Sequence, residues 1–186
     1  MLAKVHDDDA FVDLIYSSGN GVAEVDAGWF QHAVTDQVLG YPMRLIPPEE
    51  MIWSKAFIME RERYDGADVA HLLRGLSGKL DWPRLIARFG RNWRVLLAHL
   101  VLFGFTYPGE RSRIPGHAMD ELIARLEAEV WTAPSDDRLC RGTILSREQY
   151  LIDINEWGYR DARLRPGGNM TSEETERWTA AIHEKE

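Results

Sequence analysis

The stretch PPEEMIWSKAFIMERERYDGADVAHLL, residues 47–73, decides how this chain is read. Two prolines followed by two glutamates mark a helix start. Proline suits the first turn, and carboxylates there complement the helix macrodipole. The spacing predicts a helix over residues 48–63. On that helix Lys55 has Met51 and Ile52 one turn before it and Ile58 and Met59 one turn after it. Residues three and four apart share a face, so Lys55 projects from an apolar one. Two readings stand: the stem is buried while the ammonium snorkels to the rim, or a cation points into a cleft and takes an anion. Arg61, Arg63, Asp65 and Asp68 follow. Asp65 and Asp68 fit the start of a second helix as a capping-box-like pair, and the arginines read as surface ion-pair partners.

Towards the C-terminus the helical texture continues. The second helix ends near Arg74-Gly75. Asp81-Trp82-Pro83 opens a third, which Gly90 closes. A fourth runs from Asn92 or Trp93 to Phe103, apolar enough for the centre of a bundle, and a fifth spans residues 117–131. From residue 133 the pattern loosens. A short helix is expected within residues 146–157, a loop at 165–169, and a last amphipathic helix from Thr171. Trp82, Trp93, Trp131, Trp157 and Trp178 are expected to pack in the core or between helices.

Towards the N-terminus, short apolar runs alternate with turns. Residues 2–5 and 11–16 read as strands paired across Asp7-Asp8-Asp9, and residues 37–39 and 43–46 as a second hairpin. Residues 29–34 fit either a strand or a short helix. Asn20-Gly21 is a strong turn signal, because both residues tolerate positive φ. Within residues 11–16 alternation sends Phe11, Asp13 and Ile15 one way and Val12, Leu14 and Tyr16 the other. Both faces look at least half buried. Asp13 then needs a cation, a hydrogen-bond donor or a metal ion, since an unpaired buried carboxylate is costly.

The chain has 186 residues and a net charge of −8, from 22 Lys and Arg against 30 Asp and Glu. That balance argues against broad binding to nucleic-acid backbones, which calls for clustered cations. It leaves room for a metal–nucleotide ligand, because the metal brings its own positive charge. The single cysteine, Cys140, rules out an internal disulfide and any cysteine-based metal site, and fits a reducing cytoplasm. No signal-peptide core is expected at the N-terminus, and the longest apolar run, residues 95–103, is too short to span a bilayer. His6 with Asp7, Asp8 and Asp9 reads as a solvated turn before it reads as a metal site. His99, set among leucines and valines, reads as a hydrogen-bonded core histidine.

The strand at residues 11–16, the turn after it and the helix at 47–73 together resemble the nucleotidyltransferases of the polymerase-beta superfamily, especially the bacterial minimal and abortive-infection types. The resemblance covers residues 9–107 and reaches more weakly to Trp131. It implies transfer of a nucleoside monophosphate from an NTP to an acceptor hydroxyl, with Mg²⁺ as cofactor. It also implies roles. Asp13 matches a strand carboxylate that holds the catalytic metal, and Lys55 matches the cation facing the triphosphate. Asp65 and Asp68, with Arg61, match the secondary structural residues after that helix. The chain departs from the family in one respect. A Gly-Ser or Gly-Gly pair followed about a dozen residues later by Asp-x-Asp should precede Asp13, yet only twelve residues do. Two of three metal carboxylates are therefore missing, through a misplaced start codon, a genuine shortening or a change of purpose. The chain is expected to be inactive or very weakly active alone. The alternative is a non-catalytic protein-interaction module derived from that family.

The expected fold is α+β: a small, incomplete antiparallel sheet over residues 1–47, a bundle of about five helices over 48–133, and a C-terminal extension over 134–186. An incomplete sheet leaves an exposed edge, so a homo-oligomer or a partner chain covering it is also expected.

Overall fold

A computed structural model describes residues 2–7, 10–135 and 137–180 of the protein. In chain order its elements are β1 (Leu2–Asp7), β2 (Ala10–Ile15), α1 (Ala27–Gln31), β3 (Val34–Val38), β4 (Tyr41–Leu45), α2 (Pro48–Ala56), α3 (Gly66–Leu76), α4 (Trp82–Phe89), α5 (Trp93–Thr106), α6 (Gly116–Val130), β5 (Leu139–Cys140), α7 (Leu151–Asn155), β6 (Arg160–Asp161) and α8 (Ser172–Ala180). The class is α+β, mostly helical. Among the described residues the strands form three separate two-stranded ladders: β1–β2 and β3–β4 are antiparallel, and β5–β6 is parallel. The chain divides into two compact units, Met1–Gln31 with Arg138–Glu186, and His32–Asp137.

The unit His32–Asp137 holds the β3–β4 hairpin and the five helices α2 to α6. Its core is built from Ile52 and Ala56 of α2, Val69 and Leu73 of α3, Leu85 and Phe89 of α4, Leu96 and Phe103 of α5, and Leu122 of α6. The start and stop of α4 follow directly from its residues. The Asp81 carboxylate accepts the Arg84 N–H at 3.0 Å, satisfying one of the helix's unpaired first-turn donors. Gly90 then closes the helix at φ 47°, a conformation that excludes most side chains. Helix α5 packs against α2, α3, α4 and α6, the central place expected of it, burying Trp93, Leu96, Leu100 and Phe103 while Val101 and Phe105 face solvent.

Helix α2 stops at Ala56, seven residues short of the expected end at Arg63. The reason lies in its inward face. Continued at 3.6 residues per turn, the face holding Ile52 and Ala56 would next present Glu60 and Arg63 to the core. The chain turns back instead. The Glu60 N–H donates to the Arg63 carbonyl at 2.8 Å and the Asp65 N–H to the Ile58 carbonyl at 3.1 Å, with Met59 bridged to Tyr64.

In the other unit, β1 and β2 pair with Lys4 opposite Asp13. Here an expectation fails. Phe11, Val12, Ile15 and Tyr16 are all exposed, so neither face of β2 is buried. A two-stranded ladder has no second layer of its own to supply that burial. The turn after β2 is nevertheless well held. Asn20 Nδ2 donates to the Ile144 carbonyl at 2.7 Å, and Asn169 Nδ2 donates to the carbonyl of Gly21, which sits at φ 71°. Gly19 lies so close to the Trp178 ring that a Cβ there would collide with it. Helix α8 opens with a reciprocal cap: the Glu174 N–H donates to Thr171 Oγ1 and the Glu174 carboxylate accepts the Thr171 N–H. Arg163, almost wholly buried, is paired with Asp161 through Nε and Nη2, and the Thr143 hydroxyl donates to the same carboxylate. The expected tryptophan packing holds for Trp82 and Trp93, whereas Trp131 and Trp157 are exposed. Both follow the ends of helices, α6 and α7.

Candidate functional site

Lys55, Arg63, Asp65 and Asp68 form one ionic cluster on the His32–Asp137 unit. Lys55 Nζ donates to Asp68 Oδ2 at 2.7 Å and to Asp65 Oδ2 at 3.2 Å. Arg63 reaches Asp65 with both Nε and Nη2, each at 3.1 Å. Asp65 is the backbone N-cap of α3, yet its side chain makes no capping bond. The two cations occupy it instead, so the capping role expected for Asp65 is replaced by ion pairing. The segment after α2 makes this possible: its tight turn folds Asp65 back onto the last turn of α2, where Lys55 sits.

Helix α5 fixes that turn at both ends. His99 is buried, and its Nε2–H donates to the Ala56 carbonyl at the end of α2 at 2.8 Å. The same imidazole stacks on Tyr64, whose ring also covers Gly66 at the start of α3. Burial pushes the His99 pKa down, against the opposing effect of its hydrogen bond to Ala56. At the opposite end of α2, Glu49 and Glu50 are both buried. Arg84 pairs with both carboxylates, Arg88 Nε donates to Glu50 at 2.9 Å, and the Asp81 N–H donates to Glu49 at 2.7 Å. The Arg88 guanidinium also lies over the Trp53 ring. The first turn of α2 is thereby fastened to α4.

The electrostatics of the cluster are asymmetric. Burial raises the Asp65 carboxyl, but hydrogen bonds from Arg63 and Lys55 outweigh it and hold the pKa below the ordinary aspartate value. Burial lowers Lys55, and the hydrogen bonds it donates to Asp68 and then Asp65 more than compensate, so the ammonium is held protonated. Asp65 is only 9% exposed against 53% for Asp68, and Lys55 is 27% exposed. One carboxylate is embedded and doubly held, whereas the other stands in solvent.

Of the residues singled out from sequence, Lys55, Asp65 and Asp68 come together and Arg61 does not. Arg61 lies near Glu62 on the open surface, and Arg63 takes the place in the cluster. The signal for Arg63 was its position two residues before Asp65. The apolar face around Lys55 is also shorter than expected, because Ile58 and Met59 follow the helix end. Asp13 belongs to the other unit. It is 41% exposed, with Lys4 Nζ at 3.9 Å, and Lys4 also lies over the Phe11 ring. The desolvation that made Asp13 stand out is absent; water and Lys4 solvate it. Asp8 and Asp9 lie outside the described residues, as does the side chain of Asp7. Among the described residues no group of three or more His, Cys, Asp or Glu side chains is placed to hold a metal ion. Asp13 and its described neighbours therefore do not make up a Mg²⁺ site. No helix among the described residues is long and apolar enough to cross a membrane. No family model, curated protein or solved structure matches the chain.

Proposed function

We propose that this chain is a nucleotidyltransferase-family protein in which Lys55 is the cation for the polyphosphate of a nucleoside triphosphate. The reaction of that class is an in-line displacement. An acceptor hydroxyl oxygen bonds to the α-phosphorus, the bond to the pyrophosphate oxygen breaks, and the hydroxyl proton passes to a base. The observation that carries the reading is the Lys55 cluster: the lysine, on a helix fastened at both ends, donates hydrogen bonds to both acids that the resemblance assigns, at the start of the next helix. A lysine mounted so rigidly, with its ammonium within reach of solvent, suits binding of an anion. The compartment that fits an NTP substrate and a single cysteine is the cytoplasm.

Calorimetric titration with Mg–ATP tests the reading. Binding by the wild type that disappears in Lys55→Ala supports it, provided the variant melts as a folded protein. Equal binding by both removes Lys55 from the ligand site.

A second reading, a non-catalytic interaction module, is favoured by one observation: on the strand β2 the apolar side chains Phe11, Val12 and Ile15 all stand in solvent. Apolar exposure of that kind marks contact surfaces. Self-association without any nucleotide binding would select it.

A further inference from the structure

We infer that Asp68 is a displaceable counter-ion: it occupies Lys55 while no external anion is present and gives way to a polyphosphate. This rests on the reading of Lys55 as an anion-binding cation. It adds that the site is closed by the protein's own carboxylate.

The two acids on Lys55 differ in what it takes to move them. Asp65 is buried and receives three hydrogen bonds, one from Lys55 and two from Arg63. Pulling it away would leave Arg63 without its carboxylate and a buried charge without a donor. Asp68 sits three residues further on, half exposed, and its bond is to Lys55 at 2.7 Å. Exposed ion pairs contribute little, because water replaces the partner at almost no cost. A χ1 rotation of Asp68 into solvent frees one of the three ammonium donors. A polyphosphate carries several negative charges and several acceptor oxygens, so it outcompetes a single carboxylate for that donor. Asp65 and Arg63 stay in place and keep the lysine aimed.

The inference has a direct consequence. The native carboxylate competes with the ligand twice, by occupying Lys55 and by repelling the incoming anion. Removing its charge tightens binding, whereas a residue that merely supports the site would weaken binding when altered.

The experiment is calorimetric titration of the full chain with sodium tripolyphosphate, without metal, at low ionic strength. Wild type, Asp68→Asn, Asp68→Ser and Lys55→Ala are compared, each shown by melting to be folded. Both Asp68 variants are expected to bind roughly two- to fivefold tighter than wild type, the range that loss of one exposed ion pair allows. Lys55→Ala is expected not to bind. If the Asp68 variants bind as wild type does or more weakly while Lys55→Ala is silent, the counter-ion role is overturned and the Lys55 reading survives. If no folded variant and no wild-type protein binds, the Lys55 reading falls and the counter-ion role with it.

Discussion

His99 and Asp65 lie on the two sides of the same turn, and acid reaches them at different pH. His99 resists protonation in the fold because burial disfavours its charged form. As pH falls below the ordinary histidine value, about 6.5, the unfolded chain takes up that proton before the folded one does, so stability declines until the folded pKa is passed. Asp65 acts lower. Its folded pKa is depressed, so its contribution is complete above the ordinary aspartate range and is lost as pH falls through the folded value. Melting temperature followed from pH 7.5 downward is therefore expected to fall in two steps. His99→Gln keeps a donor for the Ala56 carbonyl but does not titrate, so it should flatten the upper step and leave the lower one. An upper step of unchanged size in His99→Gln would assign it to other groups. These residues also show what a sequence can carry. Lys55 beside Asp65 was not legible as a contact, because it depends on the chain reversing at residues 60–63. The oddity of a lysine on an apolar face was legible, and it led to the cluster. The oddity of Asp13 led nowhere of the kind, because a period-2 apolar pattern promises burial only if another layer exists to provide it.

At the scale of elements, starts and stops were readable where local chemistry decides them. Asp81 before Trp82-Pro83, Gly90 after Phe89, and Thr171 with Glu174 each gave a helix boundary close to the observed one. The end of α2 was not readable from its caps, since it is set by what the core will accept. The clasp between α2 and α4 was hidden in the same way. Glu49 and Glu50 look like ordinary first-turn acids, and Arg84 and Arg88 like the polar side of an amphipathic helix. The clue was that Glu50, Trp53 and Phe57 share one face, which turns Glu50 inward. Burying two carboxylates is tolerable only with both arginines present. Arg84→Met keeps the stem and removes the charge, leaving Glu49 and Glu50 with one fewer cation. That change is expected to cost about 3–5 kcal/mol of unfolding free energy, the range for breaking a buried pair from one side. Urea unfolding measures it. A cost under about 1 kcal/mol, typical of exposed pairs, would mean that water reaches the clasp.

For the molecule as a whole, apolar surface is distributed unevenly between hairpins and helices. Helices α2 to α5 bury their apolar faces around Ile52, Leu73, Phe89 and Phe103, whereas β1–β2 leaves Val12 and Ile15 more than half exposed. An isolated two-stranded ladder is marginal in water, and the open edges of a hairpin remain free to pair. Amide protection follows burial and local cooperativity. The amides of Val12 and Leu14 in β2 are therefore expected to exchange orders of magnitude faster than those of Leu96 to Phe103 in α5, if the protein stays a monomer. Hydrogen exchange read by NMR at two protein concentrations decides the matter. Fast exchange at both concentrations leaves the hairpin uncovered in solution. Protection of β2 that grows with concentration, while α5 is unchanged, identifies the hairpin as the surface through which copies meet. Exchange of α5 as fast as that of β2 would contradict the core itself, because no helix that buries Leu96, Leu100 and Phe103 together could open so readily.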